Sequence, residues 1–140
     1  AKLATQYELD RPSYERALGQ FLSRVENVLK STELRPTVKS RVKSFDSYYS
    51  KKLRLLKKAW TEKTQPLPVN DVLAMRIICP FLGDLSIVEA LLRQNFEVEE
   101  VERKGAERSF REFGYESIHV LVKIPEDLLA LCQHLERNVI

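Results

Sequence analysis

The sequence is short of the residues that build metal or disulfide scaffolds: it has two cysteines, two histidines, one methionine and one tryptophan in 140 residues. Cys79 and Cys132 sit far apart in apolar stretches, so neither a zinc site nor a disulfide framework is expected, and both read as buried free thiols. Four glycines and six prolines are too few for a low-complexity linker, and there is no internal repeat. Length alone favours a single domain over residues 1–140. No apolar run reaches the roughly 20 residues of a membrane span, and the first thirty residues lack a signal-peptide core, so the cytoplasm is the expected setting. Neither charge dominates: 23 basic residues face 20 acidic ones, a net charge of +3. That is too little to coat nucleic acid by bulk electrostatics. A 44% hydrophobic content spread along the chain excludes disorder.

The charge that is present is unevenly placed. Residues 35–63 carry ten lysines and arginines against only Asp46 and Glu62, which makes this stretch a candidate anion site. Around it, Tyr14, Leu18, Phe21, Val25 and Leu29 recur at helical spacing, with Asp10 or Ser13 as caps near Pro12. Thr37 to Lys43 reads as a strand leading into a helix from about Phe45 to Thr61, on which Phe45, Tyr49, Leu53, Leu56 and Trp60 form one apolar seam. Val72 to Cys79, apolar apart from Arg76, reads as a central strand. Ser86 with Glu89 matches a capping box opening a further helix. Strands follow near 97–103 and from Ser117, where Ile118, Val120, Val122 and Ile124 alternate with other residues. Pro125 opens a last helix. Interleaved helices and strands, with adjacent strands near 100 and 120, point to an α+β (mixed α/β) fold in which helices flank a mixed sheet.

Several residues have the chemistry to bind a polyphosphate. Arg41 and Lys43 share a strand, and Ser47 and Lys51 share a helical face one turn apart, so guanidinium, ammonium and hydroxyl groups converge near a helix N-terminus. The bland alternative is a solvated basic helix, or a basic patch for RNA. Asp71, at the start of the central strand, is placed to hold magnesium or to act as a turn residue. Arg76 is either a ligand contact or half of a structural ion pair, since a buried arginine needs a partner. Tyr115 follows Phe113 and Gly114 and offers a ring for base stacking or packing. His119 is either a phosphate or sugar donor or a satisfied core histidine.

The order of these residues is more specific than any one of them. Arg41, Lys43, Ser47 and Lys51, then Asp-Val-Leu-Ala-Met-Arg from Asp71, then Gly-Tyr-Glu-Ser-Ile-His from Gly114, resemble the synthetase domain of the RelA/SpoT family over roughly residues 37–124. The resemblance implies a nucleotidyltransferase-like core at 37–140 behind an N-terminal helix at 1–34. It also implies transfer of pyrophosphate from ATP to the 3′-hydroxyl of GDP or GTP, which makes the alarmone (p)ppGpp of the stringent response. Carried over, Arg41 packs on adenine; Lys43, Ser47 and Lys51 hold the ATP phosphates; Asp71 binds Mg2+ and is the catalytic residue. Tyr115 stacks on the acceptor guanine, and His119 fixes the acceptor, with Lys104, Arg108 and Arg111 as further cations on that side.

The loop from Arg103 to Arg111 lacks the family's Lys-Asp-Tyr and Pro-Lys elements, which opens the alternative of a tRNA acceptor, as in toxin-like synthetases. The family's Glu-x-Gln-x-Arg strand is expected just past Ile140, so the chain is read as truncated and lacking its last strand. A non-catalytic nucleotide- or RNA-binding module is the alternative from another class, and a homo-oligomer is compatible with either.

Overall fold

The first helix sets the frame. In the computed structural model, which describes residues 2–104 and 117–140, α1 runs from Lys2 to Lys30 and buries Tyr7, Tyr14, Ala17, Leu18, Phe21, Val25 and Leu29 along one side. It passes through Pro12 rather than starting there, so the expected caps at Asp10 and Ser13 do not form. An internal proline costs about 3 kcal/mol. Burial of Tyr7 and Tyr14 on either side of it, each worth about as much as a fully buried large side chain, offsets that cost.

The chain then forms β1 (Thr37–Val42), α2 (Phe45–Glu62), β2 (Leu73–Ile78), α3 (Leu82–Asn95), β3 (Val98–Lys104), β4 (Ser117–Val122) and a 3₁₀ segment over Glu126–Leu131. The α+β class is as expected, with the strands in two antiparallel ladders. β1 pairs with β2, and β3 pairs with β4. The first ladder sets Lys39 opposite Arg76 and Arg41 opposite Ala74. After the 3₁₀ segment the backbone returns beside β4, where the Ile140 N–H donates to the Val122 carbonyl at 2.8 Å and the Val122 N–H donates back at 2.9 Å.

Phe21, Val25, Leu73, Leu128 and Cys132 are buried where α1, β2 and the 3₁₀ segment meet. Phe21 and Phe96 bring their rings to 4.9 Å across α1 and the end of α3. Burial pushes the Cys132 thiol up to about 11 and raises that of half-buried Cys79, and both are free. These are the inert thiols expected from their apolar settings.

The helix expected from Pro125 is a short 3₁₀ turn over Glu126–Leu131, and two further helices differ from their sequence reading. α3 starts at Leu82 behind Phe81, with no side-chain cap. Ser86 therefore lies inside the helix, and Glu89 instead pairs with Arg93 and Arg103. α2 buries Tyr48 and Ala59, while Tyr49, Leu53, Leu56 and Trp60 stay exposed, Trp60 by 87%. The seam is real, but it is turned about a quarter of the helix circumference from the face that packs.

Candidate active site

The site forms at the junction of β1 and α2. The Lys43 N–H donates to the Val72 carbonyl at 2.7 Å, extending the β1–β2 ladder past the last strand residue. The Tyr7 hydroxyl donates to the Lys43 carbonyl at 2.5 Å, and the Arg11 guanidinium reaches the Val42 carbonyl at 3.4 Å. With its backbone held on both sides, Lys43 is turned inward, and its side chain is only 10% exposed. Its ammonium donates to Asp71 Oδ2 at 3.1 Å.

Ser44 caps α2: its hydroxyl oxygen accepts the Ser47 N–H at 3.2 Å, one of the orphan donors of the first turn. Ser47 thus stands exposed in that first turn, and Lys51 follows one turn later. The Lys51 ammonium lies 2.9 Å from Asp71 Oδ1, with its side chain 27% exposed and that of Asp71 37% exposed. Two lysines, one just past β1 and one on α2, therefore sit on the two oxygens of one carboxylate. Burial by itself would raise the Asp71 carboxyl, but Lys51 and Lys43 outweigh it and hold the group below its ordinary value.

Asn70 Oδ1, next to this carboxylate, is buried without a donor. An unpaired hard oxygen beside a carboxylate fits a hard cation such as Mg2+. Among the described residues there is no cluster of three or more His, Cys, Asp or Glu side chains that could cage a metal. Magnesium is commonly held by one or two carboxylates together with substrate phosphates. Asp71, with Asn70 beside it, would hold the ion, and a bound ion would neutralise phosphate oxygens. In its absence the lysines and the carboxylate neutralise one another. A polyphosphate arriving at the helix N-terminus would compete for the lysines and free the carboxylate.

A family model described as the region found in RelA / SpoT proteins matches residues 40–134. The chain belongs to the RelA/SpoT family. It is similar to GTP pyrophosphokinase YwaC of Bacillus subtilis (strain 168), with 30% identity over 103 residues, 72% of this chain and 48% of that protein. The chain thus spans about half the length of that relative. No solved structure matches it.

Of the residues that the RelA/SpoT resemblance singles out, Lys43, Lys51 and Asp71 are in contact, and Ser47 is one turn from Lys51 on the same helix. Arg41 lies two residues before Lys43 but is exposed, because the strand's alternation breaks where Val42 and Lys43 are both buried. Arg76 is exposed opposite Lys39, not buried. Ile78, two residues on along the same face of β2, is likewise 45% exposed. His119 is exposed on β4 opposite Glu102, in the ladder that does not carry Asp71. Lys104 ends β3 opposite Ser117, while Arg108, Arg111 and Tyr115 lie outside the described residues.

Sequence reasoning missed Ser44, Tyr7 and Glu136. Ser44 could have been found as a serine directly before the first periodic residue of a helix. Tyr7 and Glu136 act across 36 and 88 residues of chain, and no local pattern marks such partners.

Proposed function

We propose that the chain is the ATP-binding part of a magnesium-dependent pyrophosphotransferase that moves the β,γ-pyrophosphate of ATP to the 3′-hydroxyl of GDP or GTP, making (p)ppGpp in the cytoplasm. The observation that carries this reading is the pair of lysines, Lys43 and Lys51, on the two oxygens of Asp71 at the N-terminal end of α2. In-line transfer of this kind needs charge neutralisation and alignment rather than a covalent intermediate. Lys43, Lys51 and the Ser47 hydroxyl hold the phosphates. Arg41, exposed at the mouth, covers the adenine. Asp71 holds the metal. His119 and the cations of the 104–111 stretch, with Tyr115, serve the acceptor.

The experiment is transfer of label from [γ-32P]ATP to GDP, GTP and tRNA. Transfer to a guanine nucleotide is expected, and transfer to tRNA alone replaces the acceptor. No transfer to any of the three defeats the reading. A second reading, a nucleotide- or RNA-binding module without turnover, draws on the exposed cations Lys39, Arg41, Arg76, Arg54 and Lys58. Asp71→Asn separates the two, abolishing transfer while barely changing salt-dependent RNA affinity.

A further inference from the structure

Glu136 receives three donors from two elements. The Tyr48 hydroxyl and the Lys52 ammonium, one turn apart on α2, both reach Oε2, the ammonium at 3.0 Å. The backbone N–H of Val69 also bonds the carboxylate. The side chain is 25% exposed. Burial would raise this carboxyl, but Tyr48, Lys52 and Val69 together hold it below its ordinary value.

The placement of those donors ties Glu136 to the donor site. Tyr48 and Lys52 directly follow Ser47 and Lys51, so they lie about 100° around α2 from the face that meets Asp71. Val69 precedes Asp71 by two residues. Glu136 thus holds α2 from behind and also holds the loop that carries Asp71, which are the two sides of the 2.9 Å contact between Lys51 and Asp71. The Tyr48 ring stacks on Tyr7 at 5.0 Å, and Tyr7 bonds the Lys43 carbonyl. All three contacting residues of the site are therefore tied into one bracket.

We propose that Glu136 is a positioning residue for the donor site: its carboxylate fixes the separation between α2 and the Val69–Asp71 loop, and so holds Lys51 and Asp71 at the spacing a triphosphate and its metal require. The inference rests on the donor-site reading above. Glu136 touches no substrate and acts through Lys51 and Asp71. A purely structural ion pair would lower stability alone, whereas a positioning carboxylate lowers nucleotide affinity beyond what the loss of stability explains.

The test uses Glu136→Ala, Glu136→Gln and Val88→Ala, the last a core change in α3. The readouts are a fluorescence titration with the magnesium complex of N-methylanthraniloyl-ATP, the melting temperature, and hydrogen exchange at the Val69 amide. Glu136→Ala is expected to weaken nucleotide binding about tenfold and to speed exchange at Val69. Glu136→Gln, which still offers an acceptor to Tyr48 and Val69, is expected to stay within about threefold. Val88→Ala is expected to lower the melting temperature with affinity within about twofold.

Unchanged affinity in Glu136→Ala overturns the proposal, as does a loss no greater than that of Val88→Ala at a matched fall in melting temperature. A loss in folded Glu136→Gln as large as in Glu136→Ala also overturns it. If Glu136→Ala does not fold, Tyr48→Phe decides: a severalfold loss of affinity supports the bracket and no loss overturns it. If the unsubstituted chain binds no nucleotide, the donor-site reading fails on its own account. Exchange at Val69 then decides the role of Glu136, and an unchanged rate in Glu136→Ala overturns it.

Discussion

Replacing Asp71 by asparagine removes the counter-charge of two lysines while keeping the side chain's shape. Lys43 bears most of the consequence, because its side chain is 10% exposed and its backbone is held by Val72 and Tyr7, so the ammonium cannot swing into water. Removing one member of a buried ion pair costs about 3–5 kcal/mol. Asp71 is more open and Lys51 can relax toward solvent, so about 2–3 kcal/mol is expected for Asp71→Asn. That corresponds to a fall of roughly 6–12 °C in melting temperature for a chain of this size.

Lys43→Met should behave differently. It loses a charge-assisted hydrogen bond worth about 1.5–3 kcal/mol, but it also removes an ammonium whose desolvation costs several kcal/mol. A net change within about 1 kcal/mol is therefore expected, and the double variant should be more stable than Asp71→Asn alone. The assay is urea and thermal unfolding followed by circular dichroism, in buffer free of divalent metal and phosphate. An Asp71→Asn variant as stable as the unsubstituted chain, or a Lys43→Met variant less stable than Asp71→Asn, would refute the claim that this carboxylate holds the lysines in the free site.

Burial pushes Tyr7 up to about 12 and raises Tyr14 and Tyr48 further above the ordinary phenol value. Three of the five tyrosines should therefore remain protonated through about pH 11 in an ultraviolet titration. The stability they add is complete below the unfolded value near 10 and is lost as pH rises through the folded one; early ionisation of all five would contradict the burial. Trp60, the sole tryptophan, should show red-shifted emission quenched by iodide nearly as freely as a small indole, and a blue-shifted, protected signal would mean that the α2 seam is covered in solution. Glu136 is held below its ordinary value, so its contribution is complete above the unfolded carboxylate value of about 4.3 and is lost as pH falls through the lower folded value. Glu136→Gln should flatten the acid limb of the stability curve, and an unchanged limb would count against the three donors.

The parts of the fold that could be read from sequence were those set by local spacing. β1 and α2 were expected over Thr37 to Lys43 and Phe45 to Thr61, and they are found at Thr37–Val42 and Phe45–Glu62, because the change from extended to helical periodicity falls at Ser44. Periodicity marks Tyr49, Leu53, Leu56 and Trp60 as one stripe, but it does not say whether the rest of the chain covers them, and all four are exposed. Pro12 misled for a related reason: its local cost is real, and tertiary burial of Tyr7 and Tyr14 overrides it. Within the site, Lys43, Lys51 and Asp71 could be found through their order along the chain. Their mutual neutralisation could not, since it depends on β1, α2 and the loop before β2 meeting in space. Glu136 was illegible for the same reason.

The most direct measurement is calorimetric titration of the chain with ATP, with and without magnesium, compared with Lys51→Met. Saturable binding of one ATP, strengthened by magnesium, is expected for the unsubstituted chain. Lys51→Met should bind about tenfold or more weakly, as the loss of a charge-assisted contact to phosphate requires, with little change in melting temperature. Absence of binding, or equal affinity in the two chains, would contradict the assignment of this lysine and aspartate cluster as the ATP donor site.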